Sequence, residues 1–251
     1  MDRPADRSAA AIVGNTVQSA GWLPSNRLLA ALPLETYARL LADLEPVSLR
    51  PKRELFTPSV RTSKVYFPGS GVCSISISTA DGRATGIALI GHEGLIGMTE
   101  FGAYPESGGT ATVEVIDDSA RMMDVNVFRR ELANDPALTD VVRRYATAFT
   151  ASLMRSVACN AVHSIQRRYA RCLLEIRDRV GGTELPLTQR TLASMLGVRR
   201  ASIAVTSAEL RQAGIVQQRH SHLVIHDPSR LEEVACDCYA VIKRHFSRII
   251  C

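Results

Sequence analysis

Residues 187–216 read LTQRTLASMLGVRRASIAVTSAELRQAGIV, and this stretch decides how the chain is interpreted. Thr188 is suited to cap the start of a short helix, because its hydroxyl can accept a hydrogen bond from a backbone N–H in the first turn. Gly197 ends that helix where a left-handed residue is needed. An apolar stripe lies between them and consists of Leu192, Ala193, Met195 and Leu196.

A second short helix is predicted to start near Arg199 and Arg200 and to end at Ala213-Gly214. Its apolar spacing turns Ile203, Val205 and Leu210 inward. Two helices joined by a tight turn form the helix-turn-helix layout, in which the second helix presents its first turns to a DNA groove. An ordinary helical hairpin fits this stretch as well.

The residues that follow favour the DNA-binding alternative. Residues 215–218 and 222–225 alternate like two short strands around the polar tip Arg219-His220-Ser221. A hairpin in this position would be the wing of a winged helix, and its tip could reach a phosphate.

The distribution of charge also points to nucleic acid. The 251-residue chain carries 30 Lys and Arg against 25 Asp and Glu, a net charge of +5. Residues 163–251 hold 14 of these basic residues and 8 of the acidic ones, so the whole positive excess lies there. Such segregation is typical of a phosphate-backbone binder, although a merely basic soluble surface remains the alternative.

The sequence predicts a soluble, cytoplasmic protein without a membrane partner. Its N-terminus has no signal-peptide core, and no run of 18 apolar residues occurs. The six cysteines are scattered along the chain, which favours reduced thiols over a disulfide framework.

Before the helix pair, the pattern predicts three further regions. Residues 1–24 form an N-terminal arm, and residues 25–135 form two short helices followed by an antiparallel β-barrel. Asp81-Gly82 is predicted to be one turn of this barrel, and Asp117-Asp118-Ser119 a turn between two later strands.

Residues 136–163 predict one long helix, capped by Asp135 and opened by Pro136. At ~1.5 Å per residue it would extend roughly 40 Å, which is too long for one small barrel to bury. Its near-heptad apolar spacing therefore indicates a dimerisation helix, with packing wholly on its own barrel as the alternative. Residues 164–251 form the winged helix-turn-helix domain, and its final helix is predicted to start at a capping box, Ser229–Glu232.

This order of elements resembles the Crp/Fnr family of bacterial transcription regulators over roughly residues 25–245. Three stretches carry the resemblance: residues 66–71 (YFPGSG), residues 90–97 (IGHEGLIG), and Leu187-Thr188-Gln189 leading to residues 196–200 (LGVRR). It implies an α+β fold with an N-terminal jelly-roll-like sensor barrel, a long dimerisation helix and a C-terminal winged helix-turn-helix domain. It also implies a homodimer on a pseudo-palindromic double-stranded DNA operator, and contact with RNA polymerase.

The sensor barrel departs from the cyclic-nucleotide-binding members of that family. Those members grip the ribose with a Gly-Glu pair and the phosphate with an Arg-Ser/Thr-Ala run. Here Met98 follows Gly97, and the later run reads Gly108-Gly109-Thr110-Ala111. Because a thioether is a poor hydrogen-bond partner and glycine carries no charge, we expect no cyclic-nucleotide binding. No cysteines precede Cys73 to hold an iron–sulfur cluster, and His92 is interpreted as a solvated turn residue.

The DNA-reading helix departs as well. The family's best-known members place glutamate and arginine where this chain has Ala201 and Val205. Ala201 could touch only a thymine methyl group, and Val205 is expected not to reach a base. The residues expected to contact bases or phosphates are Thr188, Gln189, Arg190, Arg199, Arg200, Ser202, Arg219 and His220.

Other constellations are weaker. Cys236-Asp237-Cys238, with His245 and Cys251 downstream, could be a metal or redox site. On one helix, however, residues 236 and 238 would point about 200° apart, so a further chain segment would be needed. His220, His222 and His226 share one strand face, which a solvated wing explains.

We therefore predict no metal, no cofactor and no catalytic residues, and we assign no effector-binding residue. The competing function is a ligand- or redox-sensing module whose winged helix binds a protein partner.

Overall fold

The computed structural model describes residues 24–58, 63–82, 84–98, 109–219 and 221–248. The N-terminal arm predicted for residues 1–24 therefore lies almost entirely outside the described residues. Among the residues described, no helix is both long and apolar enough to cross a membrane.

Two short helices precede the sheets, as the sequence predicted. Helix α1 (Arg27–Ala30) is capped by the Asn26 side chain, and α2 (Leu34–Leu40) follows Pro33. Seven strands come next: β1 (Glu45–Leu49), β2 (Glu54–Phe56), β3 (Lys64–Phe67), β4 (Val72–Ser78), β5 (Ala84–Ile90), β6 (Thr110–Val115) and β7 (Asp117–Asp124).

These strands form two antiparallel sheets, ordered β1-β7-β3 and β2-β6-β4-β5. A core between them takes buried side chains from both, including Leu49 and Ala120 of the first and Cys73 and Val113 of the second. The fold class is the predicted one: antiparallel sheets, a long helix and a C-terminal helix-turn-helix domain. We call residues 24–124 the sheet domain.

The predicted turn at Asp117-Asp118-Ser119 is wrong, because these residues begin β7. Asp117 is 1% exposed, and its carboxylate accepts hydrogen bonds from the backbone N–H groups of Gly69, Ser70 and Ser119. An aspartate satisfied in this way can remain buried inside the fold. The chain therefore passes from one sheet to the other between β6 and β7, without a hairpin.

Helix α3 (Val125–Asn134) leads into the long helix α4 (Pro136–Val162), with Asp135 between them. The Asp135 carboxylate accepts hydrogen bonds from the N–H groups of Ala137 and Leu138, so it caps α4 as predicted. The first half of α4 is buried against the sheet domain and the last helix, through Leu138, Val141, Val142, Tyr145 and Ala148. Its second half exposes apolar side chains.

The C-terminal domain follows α4 after Ser164, which caps the next helix. Its elements are α5 (Ile165–Val180), β8 (Glu184–Leu185), α6 (Gln189–Leu196), α7 (Arg200–Gln212), β9 (Val216–Arg219), β10 (His222–Ile225), α8 (Pro228–Val234) and α9 (Cys238–Ser247). Strand β10 pairs with both β8 and β9 in an antiparallel sheet, which forms the predicted wing.

The final helix differs from the prediction in two ways. Its cap is Asp227, which accepts a hydrogen bond from the Arg230 N–H, and not the predicted capping box at Ser229. The segment also forms two helices, because Ala235 adopts an extended conformation after α8. Cys236 therefore lies in the link between α8 and α9, and Cys238 is the first residue of α9.

Candidate nucleic-acid interface

The turn between α6 and α7 is built by two local signals in the sequence. The Thr188 hydroxyl accepts a hydrogen bond from the Thr191 N–H at 3.2 Å and so caps α6. Gly197 ends α6 with φ 63°, a left-handed conformation that glycine adopts without strain. Helix α7 begins at Arg200, and Arg199 caps it without a side-chain hydrogen bond. Its first backbone N–H groups are therefore left without a side-chain cap.

Helix α7 buries one face and presents the other to solvent. Ile203, Thr206, Ser207 and Leu210 are buried, whereas Arg199, Arg200 and Ala201 are exposed. The prediction that Val205 turns inward is wrong, because its side chain is 60% exposed. Thr206 and Ser207 lie on the buried face instead, so the apolar residues alone did not identify the buried face of α7 at this point. Ser202 is half-buried beside the exposed arginines.

Four of the predicted contact residues lie together. An open depression, which we call the basic depression, is lined by Lys52, Thr188, Gln189, Arg190, Thr191, Arg200 and Gln218. It joins the first turns of α6 and α7 to the wing strand β9. Sequence reasoning missed Lys52 and Gln218, because Lys52 lies between β1 and β2, far from the helix pair in sequence. The arrangement places three cationic side chains around one concave surface, which is suited to an anionic partner.

The remaining predicted residues lie at the edges of this surface. Arg219 is exposed at the end of β9 and is paired in register with His222 of β10. Its guanidinium donates a hydrogen bond to the Gln217 side chain at 3.3 Å. His220, at the predicted wing tip, lies outside the described residues.

The C-terminal domain packs directly against the sheet domain. A Cβ atom added at Gly86 of β5 would lie 2.3 Å from the Met195 carbonyl oxygen of α6, so only glycine allows this approach. The core of the C-terminal domain also includes Val72 and Val115 of the sheets. Helix α6 therefore packs on β5, which is the edge strand of its sheet in the sheet domain.

A buried ionic network reinforces this contact. Arg179 of α5 donates to Glu93 of the sheet domain at 2.9 Å and to the Leu89 carbonyl at 3.2 Å. Glu175 lies beside both Arg179 and Arg171. Burial alone would lower the pKa of Arg179, but the carboxylates of Glu93 and Glu175 outweigh it and raise that pKa. Arg179 therefore stays charged and ties the two domains together.

His92 belongs to this contact and is not the solvated turn residue that the sequence suggested. Its ring is half-buried, and Nδ1 lies 3.2 Å from the Arg179 carbonyl oxygen. The sequence did not reveal this contact, because Arg179 lies 87 residues further along the chain than His92.

The comparisons with known proteins agree with this architecture. Residues 167–234 match the model of the Crp-like helix-turn-helix domain. No curated protein sequence matches the chain.

Similar solved structures include a CRP/FNR-family transcriptional regulator, TTHA1359, from Thermus thermophilus, with 20% identity, TM-score 0.62, and coverage of 76% of this chain and 98% of that one. FixK2 from Bradyrhizobium japonicum has 19% identity, TM-score 0.60, and coverage of 77% and 98%. The c-di-GMP responsive regulator CLP from Xanthomonas campestris has 16% identity, TM-score 0.57, and coverage of 77% and 99%.

The solved structures show that the chain shares the fold of these regulators, and residues 167–234 form a Crp-like helix-turn-helix domain. The resemblance to the Crp/Fnr family is confirmed: the chain has the Crp/Fnr fold and carries a Crp-like helix-turn-helix domain over residues 167–234.

Proposed function

We propose that this chain acts as a homodimer that binds a pseudo-palindromic DNA operator in a sequence-specific manner and does not respond to cyclic nucleotides. The observation that carries the DNA part is the basic depression, which collects Thr188, Gln189, Arg190 and Arg200 beside the wing. Helix α7 would enter the major groove, with Arg199, Arg200 and Ser202 nearest the base edges. Thr188, Gln189, Arg190, Arg219 and His220 would contact phosphates.

Arg200 is the residue on which sequence choice is proposed to depend. An arginine that forks onto a guanine is worth roughly 1–3 kcal/mol of discrimination, which corresponds to about 5- to 150-fold in affinity. A phosphate contact would instead weaken binding by a similar factor on every sequence.

The test starts from a duplex selected out of a random pool by the wild-type protein. Arg200→Ala and a matched control, Arg244→Ala, are then compared by fluorescence anisotropy on this duplex and on single-base variants of it. Arg244 is also an exposed arginine and lies on α9, so both variants lose the same charge. Selective loss of affinity and of base preference in Arg200→Ala supports the proposal. Equal effects of both substitutions, or no enrichment of any duplex, would refute it.

The dimer part rests on the second half of α4. Met154, Val157 and Val162 are 70%, 71% and 73% exposed, which is unusual for three large apolar side chains on one helix. A second copy of α4 would cover them and would hold two α7 helices roughly 34 Å apart, as two successive major grooves require.

Val157→Glu tests the dimer directly. The charged side chain should convert the protein to a monomer in analytical ultracentrifugation and weaken binding to the two-half-site operator. Leu34→Glu is the matched control, because Leu34 is also an exposed large apolar residue, 63% exposed, but lies on α2. A Val157→Glu protein that remains a dimer would contradict this interface.

The expectation of no cyclic-nucleotide binding also has structural support. Met98 packs with apolar residues beside the sheets, where it presents no carboxylate to a ribose. Calorimetry with cyclic AMP should show no heat of binding, and micromolar affinity would overturn this part.

Contact with RNA polymerase is part of the same proposal. The competing proposal is a ligand- or redox-sensing module whose winged helix binds a protein partner. Indifference of the chain to all duplexes in the selection would favour the latter.

A further inference from the structure

Four potential metal ligands meet where the long helix ends. Cys159 and His163 come from the end of α4, Cys236 from the link between α8 and α9, and Cys238 from the start of α9. Their ligand atoms all lie within 4.8 Å of one another. The Sγ atoms of Cys159 and Cys236 are 3.5 Å apart, and Cys238 Sγ lies 3.6 Å from His163 Nδ1.

The structure corrects the prediction that Cys236 and Cys238 point apart. The sequence predicted one continuous helix through residues 236 and 238, on which their side chains would face opposite sides. The structure ends α8 at Val234 and begins α9 at Cys238, so both sulfur atoms can face the same point. The further chain segment that a metal site needs is α4. It contributes Cys159, which lies 77 residues before Cys236 in the chain.

The distances suit a tetrahedral ion. Zinc binds sulfur at ~2.3 Å and imidazole nitrogen at ~2.0–2.1 Å, so the ligand atoms of a tetrahedral site lie roughly 3.6–3.8 Å apart. The two separations given above are already near this value, and no other pair needs to shorten by more than about 1 Å. All three sulfur atoms belong to buried residues, since Cys159, Cys236 and Cys238 are at most 3% exposed.

The histidine is oriented as a zinc ligand requires. Its Nδ1 faces Cys238, while its Nε2 lies 3.5 Å from the Asp237 carboxylate. Arg155 pairs with the same carboxylate and holds it in place. A carboxylate on the outer nitrogen fixes the tautomer that leaves the inner nitrogen free to bind metal.

The surrounding charge fits an anionic centre. Three thiolates and one Zn²⁺ carry a net charge of −1. Arg155, Arg168 and Arg171 surround the cluster, and each has a buried Nε without a hydrogen-bond partner among the described residues. Arg155 and Arg171 already pair with Asp237 and Glu175, whereas the buried Arg168 has no carboxylate partner among the described residues. A zinc–thiolate centre would supply Arg168 with a compensating negative charge.

We propose that Cys159, His163, Cys236 and Cys238 bind one Zn²⁺ in a closed structural site. On binding, the three thiols release their protons to solvent, and His163 binds as the neutral imidazole. The ion would fasten the link between α8 and α9 to the end of α4, directly before Ser164, where the C-terminal domain begins. Its presence would therefore fix the orientation of the helix-turn-helix domain on the long helix. A donor set of three thiolates and one imidazole selects zinc over magnesium or calcium.

The first test uses the wild-type chain, purified under reducing conditions and freed of metal with a chelator. Titration with Co²⁺ should give the intense visible absorption of tetrahedral cobalt together with a thiolate charge-transfer band, saturating at one ion per chain. Added Zn²⁺ should abolish both bands. Elemental analysis of protein purified without chelator should find one zinc per chain. A metal-free protein that gives neither band would overturn the proposal.

Substitutions then locate the site. Cys159→Ala, Cys236→Ala and the milder His163→Asn should each lower Co²⁺ affinity at least tenfold and change the spectrum. Cys73→Ala is the matched control, because Cys73 is an equally buried free thiol inside the sheet domain. Unchanged affinity and spectrum in Cys159→Ala would refute the assignment, as would an equal loss in Cys73→Ala. These readouts do not depend on DNA binding, so the site can fail or succeed independently of the proposed function.

Discussion

Glu93→Gln removes the negative charge that holds the two domains together while it keeps the shape of the side chain. Glu93 and Arg179 are 6% and 7% exposed and lie 2.8 Å apart, so solvent screens this ion pair very little. Removing one partner of a buried pair typically costs about 3–5 kcal/mol, because the other charge remains buried. Glu175 lies 3.9 Å from the same guanidinium and compensates part of its charge. We therefore expect the free energy of unfolding to fall by about 3 kcal/mol, at the lower end of this range. For a chain of this size the melting temperature should fall by about 6–12 °C.

Urea unfolding at one fixed protein concentration measures this loss. Asp140→Asn is the matched control: its partners Arg143 and Arg144 are 72% and 34% exposed, and ion pairs on the surface contribute little to stability. The double substitution Glu93→Gln with Arg179→Met should recover part of the stability, because it removes both charges. If Glu93→Gln cost no more than Asp140→Asn, this pair would not be the contact that joins the domains.

Three further outcomes follow from the structure. Asp117→Asn should lower the free energy of unfolding by about 1–3 kcal/mol at pH 7, because backbone N–H groups lose part of their acceptor. Burial raises the pKa of Asp117, but hydrogen bonds from Gly69, Gly71, Ser119 and Ser70 outweigh it and hold the pKa below 3.8. The difference in free energy of unfolding between the wild type and Asp117→Asn should therefore be complete above pH 3.8 and should decrease as the pH falls through the pKa of Asp117 in the folded protein. Urea titrations in which this difference stays constant down to acid pH would contradict this expectation. Gly86→Val should clash with the Met195 carbonyl and increase hydrogen exchange in α6, whereas Gly182→Ala, where a Cβ meets nothing within 4 Å, should leave exchange unchanged. Asp135→Ala removes the α4 cap, worth roughly 0.5–2 kcal/mol, and also the partner of Thr36 and Arg39, so thermal unfolding should show at least this loss of stability; a smaller change would argue against the cap.

Sequence reasoning succeeded where the controlling interaction is local. Thr188 and Gly197 define α6 within a single turn at each end, and Asp135-Pro136 starts α4 in the same way. These signals act over three or four residues, so one short stretch of sequence contains both the capping residue and the helix end that it caps.

It failed where the partner lies far along the chain. Asp117 looked like part of a turn because polar residues favour turns, but distant backbone N–H groups near Gly69 satisfy it inside the fold. His92 looked solvated because Arg179 lies 87 residues away. The cysteine cluster could not be predicted for two reasons. It needs a break in the final helix at Ala235, and it needs two ligands from the distant end of α4.

The residues that line the basic depression divide in the same way. The helix pair and its caps place Thr188, Gln189, Arg190 and Arg200 together, and the contact of these four with DNA stays a prediction. Lys52 could not be predicted, because only the packing of the sheet domain against α6 brings it to this surface.

The salt dependence of binding to the selected duplex tests the central claim most directly. The claim is that the basic surface of the helix pair and wing grips the backbone of double-stranded DNA. Anisotropy titrations between low and physiological salt should then give a straight line of log affinity against log salt, with a slope near −0.9 for each phosphate neutralised. Because two copies would each contribute several cations, we expect a steep slope. Affinity that is indifferent to salt, or no binding to duplex at any salt concentration, would contradict the account.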